Sequence, residues 1–228
     1  MVNFQFVTFL IWILLVYFLM QQDNLRKKAS LDELEFYHKS MQLGPHFVMN
    51  MMGDISERAK GLSGELSEEI EHFSTVLQYG YKDIRRENTL MDEIQAIIAY
   101  EYCQRSRFGN SMNHRLFINI PEETASQLPI PKMTLLTLYA DVFKHGDYTG
   151  DFPGTVVLSL TECPLTRNSL MVLTVYNLLG RQRSPNSSGF GLKAVSNVLS
   201  YYFGEDIQLY HEINDDEFSL VLMIDYGQ

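Results

Sequence analysis

"PKMTLLTLYADVFKHG", residues 131–146, reads as a helix set between two runs of a different period. Before it, "RLFINIP" (115–121) is rich in β-formers. After it, the Gly/Pro/Asp-rich loop "DYTGDFPG" (147–154) leads into "TVVLSL" (155–160). The same alternation continues downstream: "SLMVLTVYN" (169–177) is β-rich, "GLKAVSNVLSYYFG" (191–204) is helical, and "DIQLYHEI" (206–213) and "FSLVLMIDY" (218–226) are strands around an "NDDE" turn. Strands and helices mixed in this way predict an α+β layer fold, with helices on one face of a sheet.

The helix at 131–146 ends on Lys144, His145 and Gly146, and Asp141 lies one turn before His145 on the same side. A carboxylate facing a loop suits a hard cation such as Mg²⁺; a C-capped helix with a polar last turn explains the same residues. "SPNSSGFGLKAV" (184–195) runs from a Ser/Gly loop through Gly189, Phe190, Gly191 and Leu192 into a helix. The N–H groups of such a start can cradle a phosphate, and the glycines allow close approach, although an ordinary helix N-terminus looks alike.

Upstream, the chain is helical. Residues 30–60 carry a drifting apolar stripe (Leu31, Leu34, Tyr37, Met41, Phe47, Met51) broken at Gly44–Pro45. After a break at Gly61–Gly64, Leu66, Ile70, Phe73 and Leu77 recur at helical spacing among glutamates. Two amphipathic helices joined by a Gly/Ser turn predict an α-hairpin, and a dimer pairing two of them into a four-helix bundle would bury the stripes. A third helix opens at "NTLMDEI", where Thr89 and Asp92 approximate a capping box and Ile94, Ile97, Ile98 and Tyr102 give a face. Within the first helix, "LGPHFVMNMM" (43–52) places His46 directly after Pro45. Taken alone, an imidazole among Leu, Phe, Val and Met reads as a packed core residue.

The run from Val2 to Met20, VNFQFVTFLIWILLVYFLM, holds no charge. As a helix it spans about 28 Å, close to the hydrocarbon thickness of a bilayer. It lacks the basic n-region and small-residue cleavage site of a signal peptide, and Arg26, Lys27 and Lys28 follow it. A single-pass anchor with the C-terminal part in the cytoplasm is expected, in the inner (cytoplasmic) membrane of a bacterium. The net charge of −10, with no Lys/Arg block, argues against nucleic acid as a partner. Cys103 and Cys163 match no metal-ligand spacing and suit a reducing compartment.

Taken in order, Pro-His-Phe-x-x-Asn (45–50), "FSTVLQYGY", "LMDEIQAIIAYEYCQRSRF", "IPKMTLLTLYADVFKHG", "VYNLLG" and "GFGLKAVSNVL" resemble the LytS-like sensor histidine kinases. The resemblance covers roughly residues 35–226. It implies a transmembrane anchor (1–22), a helical hairpin for dimerisation and phosphoacceptance (23–86), and an ATP-binding α/β sandwich of the GHKL, or Bergerat, type (87–228). By position it makes His46 the phosphoacceptor and Asn50, one turn on, a residue that polarises the acceptor or a hydrolytic water. Asp141, Lys144, His145 and Gly146 become the N-box for Mg²⁺ and triphosphate. Asn177 falls at the adenine-facing box, and Gly189, Gly191 and Leu192 form the G-box.

The implied activity is that of a protein histidine kinase, phosphorylated at His46 from Mg-ATP and donating the phosphoryl group to an aspartate of a cytoplasmic response regulator, as a homodimer. The chain departs from the family pattern at three places. The usual Glu-Asn of the N-box is Ala140-Asp141, the Asp-x-Gly-x-Gly adenine box reduces to Asn177-Leu178-Leu179-Gly180, and a customary Arg is Gln78. These changes leave open the alternative of a degenerate, non-catalytic signalling and dimerisation module.

Overall fold

The computed structural model describes residues 12, 14–22, 51, 55, 63–82, 86–148, 150–163, 167–180 and 190–227. Two long helices come first. Helix α1 (Gly64–Tyr81) is N-capped by Ser63, whose hydroxyl accepts from the Leu66 N–H at 3.3 Å. Helix α2 (Leu90–Phe108) opens on a complete capping box: Thr89 Oγ1 accepts from the Asp92 N–H, and Asp92 Oδ2 accepts from the Thr89 N–H at 2.8 Å. Strand β1 (His114–Asn119), the short helix α3 (Glu122–Ala125) and helix α4 (Thr134–His145) follow. Then come β2 (Gly154–Glu162), β3 (Ser169–Leu178), helix α5 (Phe190–Phe203), β4 (Ile207–Asn214) and β5 (Glu217–Tyr226).

The strands form one sheet in the order β1-β2-β3-β5-β4. β1 runs parallel to β2, and the other pairings are antiparallel. Burial alternates along β2 and β3, as the pleat requires. Leu158, Leu173 and Leu222 lie side by side across β2, β3 and β5 on the buried face. Against them pack Leu135, Leu136 and Tyr139 of α4, Ala194, Val195 and Leu199 of α5, and Leu90, Ile94 and Ile97 of α2. Slipping one strand by one residue would turn its apolar set to the other face, so burial fixes the register. At the β4–β5 turn Asp215 takes φ 53°, a left-handed position that Asp tolerates better than most residues. The expected α+β layer, with helices on one face of a mixed sheet, is what forms.

Three local expectations are corrected. The helix read from Pro131 begins at Thr134, because Met133 sits at φ 69° and outside the α-region. On α2, Ile98 is exposed at 44%, while Tyr100, Glu101 and Gln104 are buried, so the core face is rotated from the predicted one. On α1, Ile70 is exposed and Val76 and Tyr79 are buried instead.

Part of the α1 stripe finds its partner within the chain: Leu66 and Phe73 cluster with Cys103 of α2 and with Met51 and Ile55. Val76 and Tyr79 join the main core. Most of the predicted anchor lies outside the described residues. Residues 14–22 are helical with mostly exposed side chains, and among the described residues no helix is long and apolar enough to cross a membrane.

Candidate functional site

Helix α4 carries the site on its last two turns. Its apolar face, Leu135, Leu138, Tyr139 and Val142, is buried, which leaves Asp141, Lys144 and His145 toward the rim. The helix is anchored from below by a polar set. The Tyr139 hydroxyl donates to Glu101, which also lies 3.2 Å from His114 Nδ1 and 2.5 Å from the Arg105 guanidinium. Burial opposes charge on Glu101, yet the hydrogen bonds from His114 and Tyr139 win and hold its carboxyl below the usual range. Tyr139 thus fixes the rotation of α4 about its axis, and with it the direction of Asp141 two residues on.

The end of α4 is joined to the end of β3. Gly146 and Leu179 form an antiparallel bridge. The Asp147 N–H donates to the Leu178 carbonyl at 2.6 Å, and the Gly180 N–H to the His145 carbonyl at 2.9 Å. Gly146 has no room for a side chain: a Cβ there would lie 2.4 Å from the Val142 carbonyl oxygen and 2.8 Å from Asn177 Nδ2. Asn177 is itself buried, donates through Nδ2 to the Leu178 carbonyl, and leaves Oδ1 without a hydrogen-bond partner among the described residues. A buried acceptor of this kind is costly unless something donates to it.

The first turn of α5 closes the other side. A Cβ on Gly191 would lie 2.8 Å from Asp141 Oδ2, so the carboxylate sits against bare backbone at the helix start. Burial raises the Asp141 carboxyl above its ordinary value, and the neighbouring Lys144 and His145 charges pull it back. Burial lowers the His145 imidazole, and Asp141 works against that shift. Lys144 is exposed, and Leu192 is half-buried against the core.

Asp141, His145, Gly146, Asn177 and Gly191, distant in sequence, therefore meet at one end of α4. His46, Asn50 and Gly189 lie outside the described residues. Such a place can take an anion at the α5 N-terminus and a donor group at Asn177 Oδ1. Among the described residues no cluster of three or more His, Cys, Asp or Glu can hold a metal by itself. Asp141 is a single oxygen donor, which suits a cation carried chiefly by a polyphosphate.

The sequence marked Gly180 only as the remaining glycine of the adenine box, not as the tie between β3 and α4, and it assigned no role to Glu93, buried beneath the start of α4. Glu93 had a signal. It stands three residues after Leu90 and four before Ile97, an acid on an apolar stripe.

Residues 34–112 match the histidine kinase family. Sensor histidine kinase BtsS of Escherichia coli strain K12 is 27% identical over 199 residues, covering 87% of this chain and 34% of that protein. Sensor histidine kinase BtsS of Shigella flexneri aligns with the same figures. The chain thus spans 34% of the length of the curated relatives it matches. Among solved structures, the histidine kinase domain of the Erythrobacter litoralis blue-light activated histidine kinase is 14% identical at a TM-score of 0.39, covering 87% of this chain and 93% of that one. The sequence is thus similar to histidine kinases: to the family over residues 34–112, and to BtsS at 27% identity over 87% of the chain.

Proposed function

We propose that this chain is a sensor histidine kinase of the LytS-like kind, which binds Mg-ATP at the end of α4 and phosphorylates itself on His46. The observation that carries the reading is the convergence of three separated segments. Asp141 of α4, Asn177 of β3 and Gly191 of α5 surround one end of the sheet, where a nucleotide's charged and flat ends need different partners. Asn177 Oδ1, buried and without a donor among the described residues, suits an amino group such as that of adenine. The start of α5, at Gly191 and Leu192, suits phosphates, and Gly189 joins them by its place in the sequence.

Phosphoryl transfer asks the protein mainly for positioning and for charge stabilisation. The neutral imidazole nitrogen of His46 attacks the γ-phosphorus in line. The bond from that phosphorus to the bridging oxygen breaks, and ADP leaves with the electron pair. Asn50, one helical turn from His46, orients the ring. Mg²⁺ bound with the nucleotide supplies charge neutralisation, and Asp141 is its protein oxygen donor. Asp141 also adds a negative charge beside the phosphates, which Lys144 and His145 partly offset. The phosphoryl group then passes to an aspartate of a cytoplasmic response regulator. The anchor at 2–20, the hairpin of 23–86 and a homodimer complete the proposal, with 87–228 as the ATP-binding unit.

Full-length chain in detergent, incubated with Mg²⁺ and ATP labelled at the γ-phosphate, tests it. The expected result is protein-bound label that Asp141→Ala lowers at least tenfold. No label on the wild type, with nucleotide shown to bind, returns the chain to the non-catalytic module.

A further inference from the structure

Beneath the candidate site lies a buried polar knot that the transfer chemistry does not use. Glu93 on α2 is fully buried, and its carboxylate accepts from the Thr134 N–H at 3.2 Å and the Leu136 N–H at 2.8 Å, both in the first turn of α4. The same carboxylate accepts from the Tyr79 hydroxyl, which reaches it from the last turn of α1. The Tyr79 oxygen in turn accepts from the Met133 N–H at 3.1 Å and the Asn88 amide at 3.3 Å. Beside it, Lys132 Nζ donates to the Gly80 carbonyl at 2.9 Å and to the Lys82 carbonyl, where α1 ends.

The arrangement solves two local problems with one set of groups. Helix α4 has no cap of its own, because Met133 at φ 69° offers no side-chain acceptor. Glu93 supplies that acceptor, and a negative charge at a helix N-terminus is favoured by the dipole. Helix α1 has no basic residue in its last turn, and Lys132 supplies the cation its terminal carbonyls lack. The last turn of α1 and the first turn of α4 are therefore tied to each other. The opposite end of α4 carries Asp141, His145 and Gly146, and a helix transmits a displacement along its length.

We propose that Glu93 is a positioning residue for the candidate nucleotide site, holding α4 to α1 so that a movement of α1 is felt at Asp141. The inference rests on the nucleotide reading of that site. It gives the chain a physical route between the helices that lead to the phosphoacceptor segment and the place where ATP binds.

The latch is sensitive to protonation. Burial pushes the Glu93 carboxyl up to about 7, against the pull of the hydrogen bonds from Tyr79 and from the Leu136, Met133 and Thr134 backbone. The groups facing it are Tyr79 from α1, Tyr226 from the end of β5, Lys132 over the Tyr79 ring, and the Lys82–Asp92 pair nearer the surface. The start of α4 presents backbone N–H groups. Burial favours the protonated carboxyl, so raising the pH through about 7 puts a charge into the knot and loosens the first turn of α4.

Two readings on the full-length chain test this, each taken either side of the Glu93 midpoint of about 7. The first is hydrogen exchange at Thr134 and Leu136, corrected for the intrinsic rate. The second is the affinity for Mg²⁺ with a non-hydrolysable ATP analogue. Protection in the wild type is expected to fall several-fold as the pH is raised through that midpoint, the affinity to follow it, and Glu93→Gln to flatten that part of both profiles. Tyr79→Phe removes a donor to the carboxylate and is expected to move the midpoint to higher pH. Profiles that are flat in the wild type, or unchanged by both substitutions, overturn the positioning role and leave the kinase reading standing. A wild type that shows the exchange profile but binds no nucleotide overturns the nucleotide reading, and the positioning role with it.

Discussion

Two glycines at the site give opposite expectations for the same substitution. At Gly146 an added Cβ meets the Val142 carbonyl at 2.4 Å and the buried Asn177 amide at 2.8 Å, neither of which has room to move. Gly146→Ala is expected to destabilise the fold by about 1–3 kcal/mol, read as a lower denaturation midpoint. At Gly191 the added Cβ meets the tip of the Asp141 side chain at 2.8 Å, and the tip can swing. Gly191→Ala is expected to leave the midpoint nearly unchanged and to weaken binding of a Mg-ATP analogue about fivefold, the equivalent of ~1 kcal/mol.

Glu93 gives a third expectation. Its carboxyl rises from an ordinary 4.5 to about 7, so between those values the folded chain holds a proton that the unfolded chain has released. Stability is then highest below the lower value and is lost as pH rises toward the upper one, by about 3 kcal/mol at most. Glu93→Gln is expected to remove that slope from pH-dependent urea titrations. Among the residues proposed for the site, Asp141, Lys144, His145 and Gly146 could be grouped from the sequence because they share one helix end. The seating of Gly191 on the Asp141 carboxylate could not be read there, because nothing local in either segment encodes a contact between them.

At the scale of elements, local chemistry was readable and partners were not. The capping box at Thr89 and Asp92 was visible as a spacing, and it forms, with Lys82 added to Asp92 at 2.9 Å. Thr89→Ala is expected to cost about 1 kcal/mol, lowering the thermal midpoint by about 2–4 °C for a chain of this size. All of the β-rich runs became strands, because alternation records which face is buried. Their order did not follow from the sequence. β5 inserts between β3 and β4, and β1 pairs parallel with β2 across the α3–α4 connection, both decided by non-local packing. The rotated face of α2 has the same origin. Tyr100 and Glu101 are drawn inward by Tyr139, His114 and Phe143, partners that lie on other elements.

At the scale of the molecule, the sheet and its helices form one core that also takes in Val76 and Tyr79 of α1. Helix α1 is therefore fastened to the sheet and its helices by packing as well as by hydrogen bonds. The net charge of −10 disfavours a long polyanion as partner, and in the proposed reading the N–H groups at the start of α5 receive the triphosphate. The family match over residues 34–112 spans the Pro45-His46 pair and reaches through α2. The central claim is that these parts act together, moving a phosphoryl group from ATP to one histidine. The most direct measurement maps the phosphorylated residue by mass spectrometry, after incubating full-length chain with Mg-ATP under alkaline workup that preserves phosphohistidine. The account predicts phosphate on His46 and none in His46→Ala; phosphate at another residue, or none in a wild type that binds ATP, contradicts it.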